Sequence, residues 1–171
     1  MEIESPMLFT DGLPSQDIGY RGASAAAAAG ISYRQLDYWD RTGLVIPSIQ
    51  SATGSGSQRL YAFRDILVLK LVKRLLDTGV SLQQIRIAVD QLRAAGINDL
   101  ASITLMSDGA RVYLCTTQDE VMDLLGRGQG VFGIAIGRVL REVEASLVNM
   151  KESHVDDMDE LAARRLNRKA V

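Results

Sequence analysis

The fold of this chain follows from ISYRQLDYWDRTGL at residues 31–44. Ser32 is a favourable helix N-cap, because its hydroxyl can accept a hydrogen bond from a free backbone N–H of the first turn. Leu36 and Trp39 are spaced to share one helical face, and Gly43 marks the end of the helix. These features predict a short amphipathic helix with Trp39 in the core.

A second helix is predicted immediately before this one. GASAAAAA at residues 22–29 favours a helix because alanine has the lowest cost there, and Gly30 interrupts it. Two short helices joined by a tight glycine turn are typical of a helix-turn-helix.

A wing and two further helices are predicted next. Residues 51–58, SATGSGSQ, are small and polar, and β-prone pairs flank them at Val45–Ile46 and Leu60–Tyr61, which predicts a hairpin with a flexible tip. Apolar stripes predict one helix over residues 63–78 and another that begins after Ser81. Residues 20–95 are therefore predicted to form a winged helix-turn-helix domain.

The pattern changes after this domain, and residues 97–150 are predicted to form a small α+β module for dimerisation or effector binding. Two of its strands flank the Ser107-Asp108-Gly109 turn. Its predicted strands and helices are Ile103–Leu105, Val112–Cys115, a helix from Thr117 to Leu125, Val131–Ile136 and a helix at Arg138–Met150. The glycine-rich residues 126–137 could also be loop or helix.

Both ends of the chain differ from the predicted domains. Residues 1–19 lack periodicity and are predicted to be a disordered tail. Residues 151–171 are highly charged and are predicted to be partly helical or disordered. The predicted fold class is mainly α, with an N-terminal winged helix-turn-helix and a small C-terminal α+β module.

The formal net charge of -2 conceals a basic segment. Residues 20–78 carry eight basic and four acidic side chains, whereas residues 1–19 carry four acids and no base. A basic segment in an otherwise acidic chain favours a polyanionic partner. No apolar stretch approaches the roughly 20 residues that cross a bilayer, and the acidic start is unlike a secretory signal, so we expect a cytoplasmic protein without membrane attachment.

Other chemistry finds little support in the sequence. Cys115 is the one cysteine and lies far from His154, so neither a nucleophile–base pair nor a metal site is predicted. Residues 128–133 match the GxGxxG pattern, but a helix precedes them where a dinucleotide site needs a strand. We therefore expect no enzyme activity, catalytic residue, cofactor or metal.

Residues 30–92 resemble the MerR family of bacterial regulators. The order and spacing of short segments carry this resemblance, and these are Ala29-Gly30-Ile31-Ser32, residues 33–44, Pro47, Arg59-Leu60-Tyr61, Asp65-Ile66, Lys73-Arg74-Leu75 and residues 79–85. The resemblance implies a homodimer that binds a near-palindromic site in double-stranded promoter DNA. It also implies RNA polymerase as a partner. Members of the family activate transcription by distorting promoter DNA, or repress it, and the resemblance leaves both modes open for this chain.

Three features depart from the family pattern. Asp37 stands where the family usually has an arginine, so it is expected to pair with Arg34 or Arg41 or to accept from a cytosine amino group. Residues 48–50 lack the usual basic pair, and Gly96 interrupts the expected dimerisation helix. The resemblance therefore does not extend to the dimerisation surface. It also does not say whether the C-terminal module binds a small-molecule or protein effector.

Candidate DNA contacts lie on the second helix, the wing and the third helix. The first turn of a recognition helix enters the major groove, where arginine pairs with guanine and glutamine with adenine, which selects Arg34 and Gln35. A wing arginine can enter the minor groove, which selects Arg59. The predicted set is Ser32, Tyr33, Arg34, Gln35, Tyr38, Arg41, Arg59, Tyr61, Lys70 and Lys73.

Alternatives without DNA contact accompany several of these residues, and solvated surface is the alternative for Arg34, Gln35, Lys70 and Lys73. Tyr38 could pack in the core, and Arg41 could pair with Asp37 or Asp40 on the surface. For the whole chain, a sequence-specific, homodimeric transcription regulator is the favoured function. The alternatives are a DNA architectural factor of the excisionase type and a protein-interaction adaptor without a regulatory ligand.

Overall fold

The computed structural model describes residues 9–10, 13–14, 18–51, 58–128 and 132–150. Within the N-terminal segment, β1 (Phe9–Thr10) and β2 (Leu13–Pro14) pair antiparallel. The sequence pattern predicts a disordered tail here and does not predict this pairing. The charged tail predicted at 151–171, with His154, lies outside the described residues, and so does most of the predicted wing tip, at 52–57.

Two short helices meet at Gly30, as predicted. They are α1 (Gly22–Ala29) and α2 (Tyr33–Arg41). Gly30 has a φ of 72°, a left-handed conformation that glycine adopts without steric cost, and its N–H group donates to carbonyls of the last turn of α1. The core position predicted for Trp39 is confirmed, since only 4% of it is exposed.

The wing differs from its prediction at its first strand. β3 (Tyr20–Arg21) pairs antiparallel with β4 (Leu60–Tyr61), and a single bridge joins Gln50 to the same strand. The strand predicted at Val45–Ile46 is wrong, because the N–H group of Val45 donates to the carbonyl of Trp39 and its side chain is buried. An apolar residue that looked β-prone instead packs beneath the end of α2.

The central helix of the core is α3 (Phe63–Asp77). Eight of its fifteen residues are buried, and α1 and α4 (Leu82–Ala94) both pack against it. Burial of a side chain such as Leu67 or Leu71 contributes roughly 1.5–3 kcal/mol. The alanines of α1 suit this position, because their small side chains let two helix backbones approach closely.

The predicted α+β module is present, with one additional helix, α5 (Ile97–Ser102). Its three strands form an antiparallel sheet in the order β6-β5-β7. The strands are β5 (Thr104–Ser107), β6 (Val112–Cys115) and β7 (Phe132–Ala135). The remaining helices are α6 (Gln118–Gly126) and α7, which is described over residues 136–150.

Details of the module follow its turn chemistry. Asp108 accepts hydrogen bonds from the N–H groups of Ala110 and Arg111, which closes the turn between β5 and β6. Strand β5 starts one residue later than predicted, because Ile103 caps α5. Residues 128–133, which match GxGxxG, come after helix α6 and end in strand β7, whereas in a dinucleotide site the motif follows a strand and opens a helix.

One apolar core runs through the winged helix-turn-helix and the module. Val139 and Val143 of α7 belong to the same cluster of buried residues as the apolar face of α3. Glu142 adds a polar link, since its carboxylate lies 3.5 Å from the Lys70 ammonium and pairs with Arg74. The two predicted units therefore differ in architecture but share a core. Among the described helices, none is long and apolar enough to cross a membrane.

We expect Gly137→Ala to lower the free energy of unfolding. A Cβ at this position would lie 2.6 Å from the backbone carbonyl oxygen of Ala101, so α7 would have to move away from α5. Overpacking of this kind costs about 1–3 kcal/mol.

Gly126→Ala is the matched control, because its Cβ would meet nothing within 4 Å. We expect it to be neutral or slightly stabilising, since alanine favours helix over glycine. Urea denaturation of both variants measures the difference, and equal effects would contradict the close contact between α5 and α7.

Candidate nucleic-acid interface

The first turn of α2 is fixed by reciprocal capping. The backbone N–H of Gln35 donates to the Ser32 hydroxyl at 3.1 Å, and the N–H of Ser32 donates to Oε1 of Gln35 at 3.1 Å. Ser32 therefore acts as the predicted N-cap. The predicted bidentate contact between Gln35 and adenine would use the same Oε1 atom that accepts the second of these bonds.

Four candidate residues lie together on the solvent side of α2. Tyr33 and Tyr38 are 55% and 53% exposed, and the side chain of Arg41 is 67% exposed. Arg34 is also exposed, and it makes no hydrogen bond or ion pair to any described residue. Core packing, the alternative for Tyr38, is wrong. This face places two cations and two phenols on one side of a capped helix.

Arg59 is held inside the domain by two carboxylates of α2. Its Nη2 lies 2.6 Å from Oδ1 of Asp37, and its Nε lies 2.6 Å from Oδ2 of Asp40. Only 13% of its side chain is exposed. The minor-groove contact predicted for Arg59 does not fit this arrangement, because the guanidinium is already engaged with α2.

The electrostatics of this cluster favour the charged forms of its members. Burial disfavours the Arg59 cation, but its bonds to Asp37 and Asp40 more than compensate and raise its pKa. The hydrogen bond from Arg59 holds the pKa of Asp37 below its usual range. Asp37 also pairs with Arg41 at 2.8 Å, which is one of the pairings expected from the sequence.

Tyr61 lies beneath the cluster and is completely buried. Its hydroxyl makes no hydrogen bond to the part of the chain that the structure describes. Burial raises the pKa of this phenol above its usual value. The DNA contact predicted for Tyr61 is therefore wrong for its side chain, which belongs to the core.

The two lysines predicted on α3 have intramolecular partners. The Lys70 side chain is 18% exposed and faces Glu142 of α7, so it belongs to the contact with the module. Lys73 pairs with Asp77 at 2.7 Å, one turn further along the same helix. Of these two lysines, Lys73 remains the more open to solvent.

Contacts that hold the helix-turn-helix together were missed by sequence reasoning. Arg86 and Arg93 of α4 donate to the backbone carbonyls of Thr42 and Leu44, just after α2. These partners are 44 and 49 residues apart, so no local pattern marks them. They satisfy carbonyls at the end of α2, where a cation is also favoured by the helix dipole.

Together, the capped α2, its exposed cationic face and the adjoining wing define a winged helix-turn-helix protein. The family model described as "MerR HTH family regulatory protein" matches residues 20–92. An uncharacterized HTH-type transcriptional regulator of Mycobacterium tuberculosis (strain ATCC 25618 / H37Rv) is 58% identical over 171 residues, covering 95% of this chain and 76% of its own. The same figures hold for a regulator of Mycobacterium bovis (strain ATCC BAA-935 / AF2122/97).

These matches confirm the resemblance, and the chain belongs to the MerR HTH family of regulatory proteins. A solved structure, that of HiNmlR, a MerR family regulator lacking the sensor domain and bound to promoter DNA, is 20% identical. It covers 81% of this chain and 80% of its own, with a TM-score of 0.39, which is too low to add to the assignment.

We expect Tyr61→Phe to raise the free energy of unfolding by about 1–2 kcal/mol, because it removes a buried hydroxyl that lacks a partner. Tyr38→Phe removes an exposed hydroxyl and should be neutral. Urea denaturation compares the two variants with the wild type. A destabilised Tyr61→Phe variant would show that the hydroxyl has a partner in solution.

We expect the stabilisation by Asp37 to disappear on acidification. Its carboxyl pKa is lowered in the folded state, so the stability that it contributes is present above the unfolded pKa of about 3.9 and is lost as the pH falls through the lower folded value. The difference in unfolding free energy between wild type and Asp37→Asn should shrink below about pH 4. Asp90→Asn, at an exposed position on α4, controls for the loss of one charge, and a pH-independent difference at Asp37 would refute the expectation.

Proposed function

We propose that the chain is a sequence-specific, double-stranded-DNA-binding transcription regulator that acts at promoters as a homodimer. The observation that carries this proposal is the solvent face of α2. Arg34 lies there in the first turn of a capped helix, exposed and without a partner among the described residues. An arginine so placed is available for base recognition, whereas most other cations near it are already paired.

The chemistry of this face matches that of a DNA major groove. Arg34 has the fork geometry to donate two hydrogen bonds to O6 and N7 of one guanine. Tyr38 lies one turn further along α2, and its exposed hydroxyl can donate to a phosphate oxygen that fixes the register. Arg41 is exposed despite its bond to Asp37 and is a second phosphate ligand in this proposal.

A homodimer with two-fold symmetry would extend this contact. One recognition helix spans only a few base pairs, so a dimer would place two of them in successive major grooves, roughly 34 Å apart. The near-palindromic site implied by the family resemblance has this form. RNA polymerase, and an effector bound by the C-terminal module, are further partners in this proposal.

We expect Arg34→Ala to weaken binding to the selected DNA site about tenfold to a hundredfold and to relax its sequence preference, as loss of one bidentate base contact does. The measurement is a footprint and a titration on fragments that the wild type selects from genomic DNA. Arg138→Ala, at an exposed position on α7, is the control and should bind like the wild type.

A two-fold footprint between promoter elements that Arg34→Ala loses would support the proposal. Wild-type binding without sequence preference would indicate an architectural DNA-binding factor instead. No DNA binding at all would indicate a protein-interaction adaptor. Equal losses in both variants would refute the role of Arg34.

A further inference from the structure

Arg59 joins the wing to the recognition helix, where its guanidinium donates to Asp37, Asp40 and the hydroxyl of Tyr33. It stands immediately before β4, the returning strand of the wing, while Asp37 and Asp40 lie one turn apart on α2. Two different nitrogens of its guanidinium reach the two carboxylates, each at 2.6 Å. A planar guanidinium presents donors in fixed directions and can make both bonds at once, which a lysine ammonium is poorly shaped to do. We refer to Asp37, Asp40 and Arg59 as the clamp.

The clamp is largely removed from water. The side chains of Arg59 and Asp40 are 13% and 16% exposed, and that of Asp37 is 31% exposed. Charge-assisted bonds between partly buried groups are strong, and removal of one partner leaves the other charge without compensation. If Arg59 moved to a DNA phosphate, Asp40 would lose its ion-pair partner among the described residues and Asp37 would keep only Arg41.

Together with Arg41, the clamp also neutralises the acids on the face that would meet DNA. Asp37 accepts from both Arg59 and Arg41, so two carboxylates and two guanidinium groups balance locally. An unpaired acid at residue 37 would repel phosphate. Because Asp37 is paired, it connects α2 to the wing through Arg59, and its negative charge is neutralised by Arg59 and Arg41.

We propose that Arg59 is a positioning residue, which acts in DNA binding through Asp37 and Asp40 and does not itself touch DNA. This inference rests on the proposed function. The clamp sets the angle between the wing and the recognition helix. Both can then contact one stretch of duplex without a further loss of conformational freedom between them. Fixing that angle before binding avoids part of the entropy cost of association.

The test uses a charge-balanced double variant, Asp37→Asn with Arg59→Gln. It removes one acid and one base, so the local charge stays as it is in the wild type. We expect its dissociation constant for the selected site to rise about tenfold, as expected for loss of a coupled contact. We expect the slope of log affinity against log salt concentration to stay unchanged, because no phosphate contact is lost.

A direct contact gives a different result. If Arg59 binds a phosphate, the slope becomes shallower by about 0.9 for each lost contact, which would overturn the inference. Hydroxyl-radical footprinting supplies a second readout. The clamp predicts loss of protection on the wing side of each half-site, with the α2 contacts retained, whereas unchanged affinity and protection would also overturn it.

Arg59→Lys covers the case in which the double variant does not fold. Lysine keeps the charge and binds phosphate well, so a direct contact would survive this change. The clamp predicts weaker binding, since one ammonium replaces a fork that spans two carboxylates, again with an unchanged salt slope. Retained affinity in Arg59→Lys would overturn the inference.

Failure of the inference and failure of the proposed function are distinguishable. A wild-type protein that shows no sequence preference overturns both. A wild-type protein that selects a site, with Arg34→Ala impaired and the clamp variants unaffected, overturns only the role of Arg59.

Discussion

The burial of α3 on several sides is the constraint on which the rest of the structure depends. Its apolar side chains extend well beyond one stripe, so a single partner helix would leave much of that surface in water. The alanines of α1 cover one side, α4 covers another, and buried residues of α7 extend the same cluster. The module is thus part of what makes the winged helix-turn-helix stable, because its last described helix completes the core around α3.

The cationic side chains around this core differ in solvent exposure, and their partners differ accordingly. Cations that lie against other elements are paired with acids, as Lys70 and Arg59 are, or donate to backbone carbonyls, as Arg93 does. Arg34 faces solvent and is left without a partner among the described residues. The same domain therefore separates cations that hold it together from a cation that can meet a polyanion. Net charge by segment does not reveal that separation, since it counts both kinds equally.

Features set by local sequence could be predicted, and features set by distant pairing could not. Glycine stops, the Ser32 cap and apolar spacing located α1 to α4, because each depends on residues within a few positions of one another. Residues 45–46 were mistaken for a strand because β-prone residues at a helix end look the same whether they pair or pack. The carboxylate partners of Arg59 lie 19 and 22 residues away, and the burial of Tyr61 depends on α1, which packs against β4. Sequence could thus identify the recognition helix but not which of its neighbours were already engaged.

The route from module to wing is continuous in the structure. Glu142 of α7 holds Lys70 and Arg74 on α3, and Arg64 near the start of α3 donates to carbonyls at the end of α4. Strand β4 leads directly into α3, and Arg59 stands just before that strand. A shift of α7 would therefore have to move α3 or break the ion pairs between the two helices. Movement of α3 would in turn displace β4 and, with it, Arg59 of the clamp. Contiguity alone does not make a signal, since coupling also needs an element with two arrangements that a ligand can distinguish. Because a single arginine makes both bonds of the clamp to α2, a small displacement of Arg59 would change the angle between the wing and α2.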